Sequence, residues 1–132
     1  MQGTRRTLIL MGATLLLSAC AGTGDTGLFR PSPAEQKLRD GIHSYEEGEY
    51  KASLNELQAA LTLGLKKRSN QVLAHKYLAF IQCVSGRERQ CRDEFSKVLE
   101  IDPGFELKPA EAGHPTWGPV FRSVKVKYTT AP

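Results

Sequence analysis

No apolar run in this 132-residue chain is long enough to cross a bilayer. The longest, Leu8 to Leu17, falls well short of the roughly 20 residues that a hydrocarbon core demands, which excludes a transmembrane anchor. Cysteines number three and include no C-x-x-C pair, so redox catalysis and thiolate metal sites lack support. The three histidines, His43, His75 and His114, have no metal-ligand spacing and read as structural. No Ser-His-Asp order and no glycine-rich phosphate loop emerges; the reading is non-enzymatic, with no cofactor and no metal. Charge is poor in excess: 18 basic against 14 acidic residues give +4. Arg5 and Arg6 precede the apolar run, and without residues 1–19 the balance is +2. Nothing in that balance calls for a nucleic-acid partner.

What is present begins with Arg5-Arg6, the apolar Leu8–Leu17, and then Ser18-Ala19-Cys20. A positive start, a short apolar middle and small residues before the cut describe a secretion signal. With the cysteine directly after Leu17-Ser18-Ala19, the segment resembles a bacterial lipoprotein signal. The resemblance implies cleavage after residue 19, lipidation of Cys20, and a mature protein held by several acyl chains. Two chains already give stable attachment, where one is marginal. Ala21 follows the cysteine instead of the Asp that retains such proteins in the inner membrane. The resemblance therefore implies anchoring in the outer membrane, facing the periplasm. Residues 20–33 then form a flexible tether rich in Gly, Thr and Pro, with a root-mean-square span of roughly 20 Å.

From Ala34 the pattern is helical, and the fold expected is all-α. Leu38, Ile42 and Tyr45 recur at steps of four and three; Leu54, Leu57, Ala60 and Leu61 follow beyond a turn at Gly48. Gly64 ends that helix. A strongly apolar segment, Val72 to Val84, turns at Gly86 into the stripe Cys91, Phe95, Val98 and Leu99, and Asp102-Pro103-Gly104 stops it. The halves match at an offset of 38 residues: Gly48 with Gly86, Ser53 with Cys91, Leu57 with Phe95. Residues 34–104 resemble two tetratricopeptide repeats, whose period is about 34. The extra residues fit at Lys66 to Asn70. Leu78-Ala79 takes the Leu-Gly slot, Cys91-x-x-x-Phe95 the A-x-x-x-F slot, and Pro103 the closing proline. Asp40 and His75 depart from the pattern.

Two repeats leave an apolar end uncovered, so residues 105–132 are expected to supply a connector, a cap and a tail. Trp117, Val120, Phe121 and Val124 fall on one helical face, predicting a capping helix over 117–127 that Thr116 can N-cap, with Pro119 in its first turn. Lys125, Lys127 and the tail are expected to face water, and one helical turn is expected at Pro109 to Ala112.

Cys83 and Cys91 flank the Gly86 turn, where antiparallel helices can bring their Cβ atoms within disulfide reach. A structural staple is the preferred reading; two buried free thiols are the alternative. Glu46, Glu47 and Glu49 form an acidic group, and Lys66, Lys67 and Arg68 a basic one. Both read as solvated faces, the basic group with a polar partner or anionic lipid as its alternative. Repeats of this kind bind partners on the concave side, which here would present Leu38, Ile42, Tyr45, Lys76, Tyr77 and Phe80. That set is apolar and aromatic with one cation, as at a binding hot spot. The competing reading is that the C-terminal segment fills the groove and makes these residues core.

The stretch from Phe105 through Pro109-Ala110-Glu111-Ala112-Gly113-His114-Pro115 to Trp117-Gly118-Pro119-Val120-Phe121-Arg122 resembles the C-terminal signature of the type VI secretion-associated lipoprotein (TssQ) family. That family also carries a cysteine pair around a Gly-Arg turn, like Cys83, Gly86-Arg87 and Cys91. The resemblance spans about residues 72–122. It implies a scaffold that captures an envelope protein or peptide and helps assemble or anchor a contractile secretion machine. A pilotin-like or outer-membrane assembly lipoprotein, or an activator of a peptidoglycan-acting enzyme, would use the same anchor and groove.

Overall fold

The computed structural model describes residues 30–130, all of whose regular elements are α-helices. The expected lipidation at Cys20, the signal segment 1–19 and most of the tether lie outside the described residues. The elements are α1 (Pro33–Glu46), α2 (Tyr50–Leu63), α3 (Arg68–Val84), α4 (Glu88–Ile101), α5 (Pro109–Ala112) and α6 (Trp117–Thr130). No described helix is long and apolar enough to cross a membrane.

Helix α1 starts where Ser32 and Glu35 form a capping box. The Ser32 hydroxyl accepts the Glu35 N–H at 3.2 Å, and the Glu35 carboxylate accepts the Ser32 N–H at 3.1 Å. Pro33 sits in the first turn, where its missing N–H costs nothing. Three-residue turns join α1 to α2 and α3 to α4. Gly48 and Gly86 occupy matching positions there with φ of +78° and +73°, a backbone region that side chains disfavour. The result is two antiparallel hairpins.

The 38-residue offset holds for the second helix of each hairpin: α2 starts at Tyr50 and α4 at Glu88, and both run 14 residues. The first helices differ. Helix α3 has 17 residues against 14 in α1. Most of the insertion expected at Lys66 to Asn70 is thus an added N-terminal turn of α3 rather than loop.

One core fills the first hairpin and its contact with α3, around Leu38, Leu57, Ala60, Leu78 and Ile81. The other lies between the second hairpin and α6, around Phe80, Phe95, Leu99, Trp117 and Phe121. Close approach in the first hairpin depends on Gly41. A Cβ there would lie 2.8 Å from the Leu57 side chain. Fully buried Ser53 satisfies its hydroxyl by donating to the Gly41 carbonyl at 2.7 Å.

The capping helix forms on the expected face: Trp117, Phe121 and Val124 are buried, and Val120 is half-buried. It runs to Thr130, three residues past the expected end. Lys125 departs from expectation. Its ammonium turns back to donate to the Phe105 carbonyl at 2.8 Å and to pair with Glu106, which ties the connector to α6. Gly118 lets that connector close, since a Cβ there would meet the Ala112 carbonyl oxygen at 2.4 Å.

Candidate functional site

The residues expected to line the groove lie on the face shared by α1 and α3, but Leu38, 4% exposed, is packed into the first core rather than open to a partner. Leu38, Ile42 and Tyr45 repeat at helical spacing on α1; Tyr77 and Phe80 do so on α3, in register with Leu73. Tyr45 and Tyr77 meet edge to face with centroids 4.9 Å apart, and Tyr45 also touches Tyr50 and Phe80. Leu73 was not among the expected lining residues. Its position four residues before Tyr77 was the signal for it.

The C-terminal segment divides this face. Over the second hairpin it is filled. Trp117 stacks on Phe80 with centroids 4.3 Å apart and 19° between planes, leaving Phe80 2% exposed. His114 stacks on Trp117 in turn. Phe80 is therefore core, as the competing reading had it, because α6 brings the chain's single tryptophan onto it. Lys76 is likewise no rim cation. It is 3% exposed and pairs with Glu111 at 2.6 Å, with its ammonium 4.7 Å from the Tyr77 ring centre. A cation so deeply buried needs a carboxylate partner, and the connector supplies it.

Glu111 is the residue sequence reasoning missed. One carboxylate oxygen takes Lys76, the other takes the Lys108 N–H at 3.0 Å, and its carbonyl accepts the Trp117 indole N–H at 2.8 Å. It fastens α5 and α6 to α3. No periodicity in the sequence signalled this role, because its partner Lys76 lies 35 residues away.

Over the first hairpin the face stays open. Ile42, Tyr45, Leu73 and Tyr77 are half-buried, and Tyr50 is exposed. The hydroxyls of Tyr45 and Tyr77 have no hydrogen-bond partner among the described residues. Burial, then the neighbouring Tyr50, Tyr77 and Glu111, push the Tyr45 phenol up to about 12. Burial, with Glu111 and Glu46, raises Tyr77 as well. Both remain neutral at ordinary pH, able to donate or accept a hydrogen bond. Toward the start of α1 the groove opens into a cleft of about 550 Å³ lined by Arg30, Arg39 and Lys67 over Leu38, Ile42 and Leu73.

The histidines scatter. His43 is exposed, His114 stacks on Trp117, and His75 lies 2.6 Å from Glu94 on the α3–α4 side. Burial opposes ionisation of Glu94, but hydrogen bonds with His75 and Lys97 outweigh it and hold the carboxyl below its ordinary value. No cluster of three or more metal-ligating side chains occurs among the described residues. Cys83 and Cys91 lie at disulfide distance across the Gly86 turn, with Cα atoms 5.1 Å apart and both side chains buried.

The arrangement defines a small helical-hairpin module with one half-open aromatic groove. No protein-family model, curated protein or solved structure matches the chain.

Proposed function

We propose that this protein is a non-catalytic interaction module, lipid-anchored at Cys20 in the outer membrane and facing the periplasm, that captures an envelope protein or peptide in its helical groove. In this reading the two hairpins are tetratricopeptide-like repeats. The 38-residue offset, the small residues Gly41 and Ala79 in equivalent slots, and Pro103 after the second hairpin support that assignment. The machine it serves is type VI secretion, as an assembly accessory; the C-terminal stretch through Trp117 to Arg122 supports this choice.

One observation carries the binding role. On a face otherwise sealed by Trp117 and the Lys76–Glu111 pair, Ile42, Tyr45, Leu73 and Tyr77 remain half-open. Two aromatic hydroxyls there lack partners among the described residues. Large amphipathic rings with a free polar tip suit a protein interface, because they bury much area at little rotamer cost. Tethering at a membrane raises the effective concentration of partners, so a weak groove suffices.

The test replaces Tyr77 by a photo-crosslinking residue in cells making the full chain. A crosslink to one envelope component, lost on adding Tyr45→Ala and Ile42→Ala, is the expected result. Absence of any adduct at Tyr77, with adducts formed from sites on the α4–α6 side instead, overturns the groove.

A further inference from the structure

The cleft into which the groove opens, at the end of the domain where the chain enters, adds cations to the apolar and aromatic residues of the partner face. Arg30 and Pro31 precede α1, and the α2–α3 linker lies beside them: Lys67 is 3.9 Å from the Glu35 carboxylate, to which Asn70 also donates at 3.3 Å. The cleft between them carries three cations, Arg30, Arg39 and Lys67. Glu35 is the one carboxylate on its wall among the described residues, and Ser32, Asn70 and Lys67 already engage it. Lys66 and Arg68 add two exposed cations at its border. Leu63, just before Gly64, is 55% exposed beside them. Opposing groups at this end are Asp102, which lines a neighbouring cleft with Arg68, and Asp40, whose carboxylate accepts from the same Gln36 side chain that Arg39 donates to; Arg68 also donates to the Ile101 carbonyl. The acidic group Glu46, Glu47 and Glu49 sits at the far end, around the α1–α2 turn.

We propose that this basic end docks on an anionic phospholipid surface, with lipid phosphates on Arg39, Lys66, Lys67 and Arg68 and the Leu63 side chain in the interface. The occupant follows from where the chain leads. Arg30 is preceded by 29 residues that include the apolar run Leu8–Leu17, so a bilayer holding that segment, or a lipid on Cys20, meets this end of the domain first. The proposal rests on the membrane-anchored reading for the position of the bilayer, and on the charges for the docking. Each basic residue at an anionic surface strengthens binding roughly fivefold, and the gain fades within a Debye length and with added salt. Docking would fix which way the groove faces, turning a loose tether into an oriented one.

The experiment follows hydrogen exchange over residues 60–72 in the full chain mixed with vesicles, either neutral phosphatidylcholine or enriched in phosphatidylglycerol. Slowed exchange with the anionic vesicles alone, reversed by salt, is expected. The variant Arg39→Glu with Lys66→Glu should weaken docking by at least roughly tenfold. Its side chains make no tertiary hydrogen bond among the described residues, so the fold should stand, and the salt arm needs no mutation. A chain that is vesicle-bound yet unprotected over 60–72 overturns docking and leaves the anchor intact. A chain that binds no vesicle overturns both. Equal protection on neutral vesicles removes the electrostatic basis. Equal protection by soluble polyglutamate reassigns the patch to an acidic protein and overturns the lipid assignment.

Discussion

Single atoms decide much here because the two α1–α2 backbones approach so closely. At Gly41 the hairpin has no room for a methyl group: the nearest Leu57 carbons would lie at 2.8 Å and the Leu57 nitrogen at 3.1 Å. Alanine favours a helix over glycine by about 1 kcal/mol, while overpacking a closed core costs about 1–3 kcal/mol. The clash should win, and Gly41→Ala should lose about 1 kcal/mol in denaturant unfolding. Made in a Leu57→Ala background, the same change should cost less, because the obstructing side-chain carbons are gone and only the 3.1 Å approach to the backbone nitrogen remains. Tyr45 offers a second residue-scale test. Its folded pKa lies near 12 against an ordinary 10, so the neutral phenol contributes stability below pH 10 that is lost as pH rises through 12. Tyr45→Phe should therefore flatten the alkaline limb of a stability–pH curve. Phenolate absorbance should show one late-titrating tyrosine fewer.

At the scale of elements, the two hairpins solve one packing problem with different chemistry. Where the first uses buried Ser53 to bond the Gly41 carbonyl, the second places Cys91 in the equivalent slot, opposite Cys83. A link closing an eight-residue separation contributes about 2.5 kcal/mol by the chain-entropy argument. Cys83→Ser with Cys91→Ser should cost about that much or slightly more, since two buried hydroxyls replace sulfur. Mass mapping without reductant should find the joined peptide, and free thiols at both positions would leave the two side chains as ordinary core. The helices themselves were readable, because apolar spacing, the paired glycines and the stop at Asp102-Pro103 are local signals. The capping box at Ser32–Glu35 was equally local, an S-x-x-E pattern directly before an apolar stripe, but composition assigned Ser32 and Pro33 to the tether, whereas Ser32 caps the helix and Pro33 opens it. Less legible was the fate of Lys76 and Phe80. Both lie at groove positions by helical spacing, and only a contact from far along the chain, Glu111 and Trp117, turns them into interior. The added turn of α3 was hidden for a related reason: Lys66 to Asn70 is too polar to reveal a helix, and contacts with Glu35 and Ile101 hold it in place. Long-range closure of this kind carries no periodicity.

For the whole molecule, charge and attachment act together. The basic residues near the chain entry and the acidic group around the α1–α2 turn lie at opposite ends of the first hairpin. A domain fixed to a membrane by its N-terminus would therefore sit with its basic end toward lipid and its acidic end away from it. The half-open groove runs between those ends, so its accessibility to a partner depends on attachment as well as on its own residues. Cys20→Ser separates the two contributions. If acyl chains supply the attachment, the variant should move from membranes to soluble fractions, since surface charge alone gives only salt-sensitive, reversible binding. Partner capture by the released protein should then fall by the lost effective concentration, on the order of a hundredfold or more, although the groove is unchanged. Fractionation with a high-salt wash, followed by crosslinking from Tyr77, checks both steps. Retention through the wash would show that something other than lipid on Cys20 holds the protein. Release with undiminished crosslinking would show that the groove binds tightly enough to need no anchor.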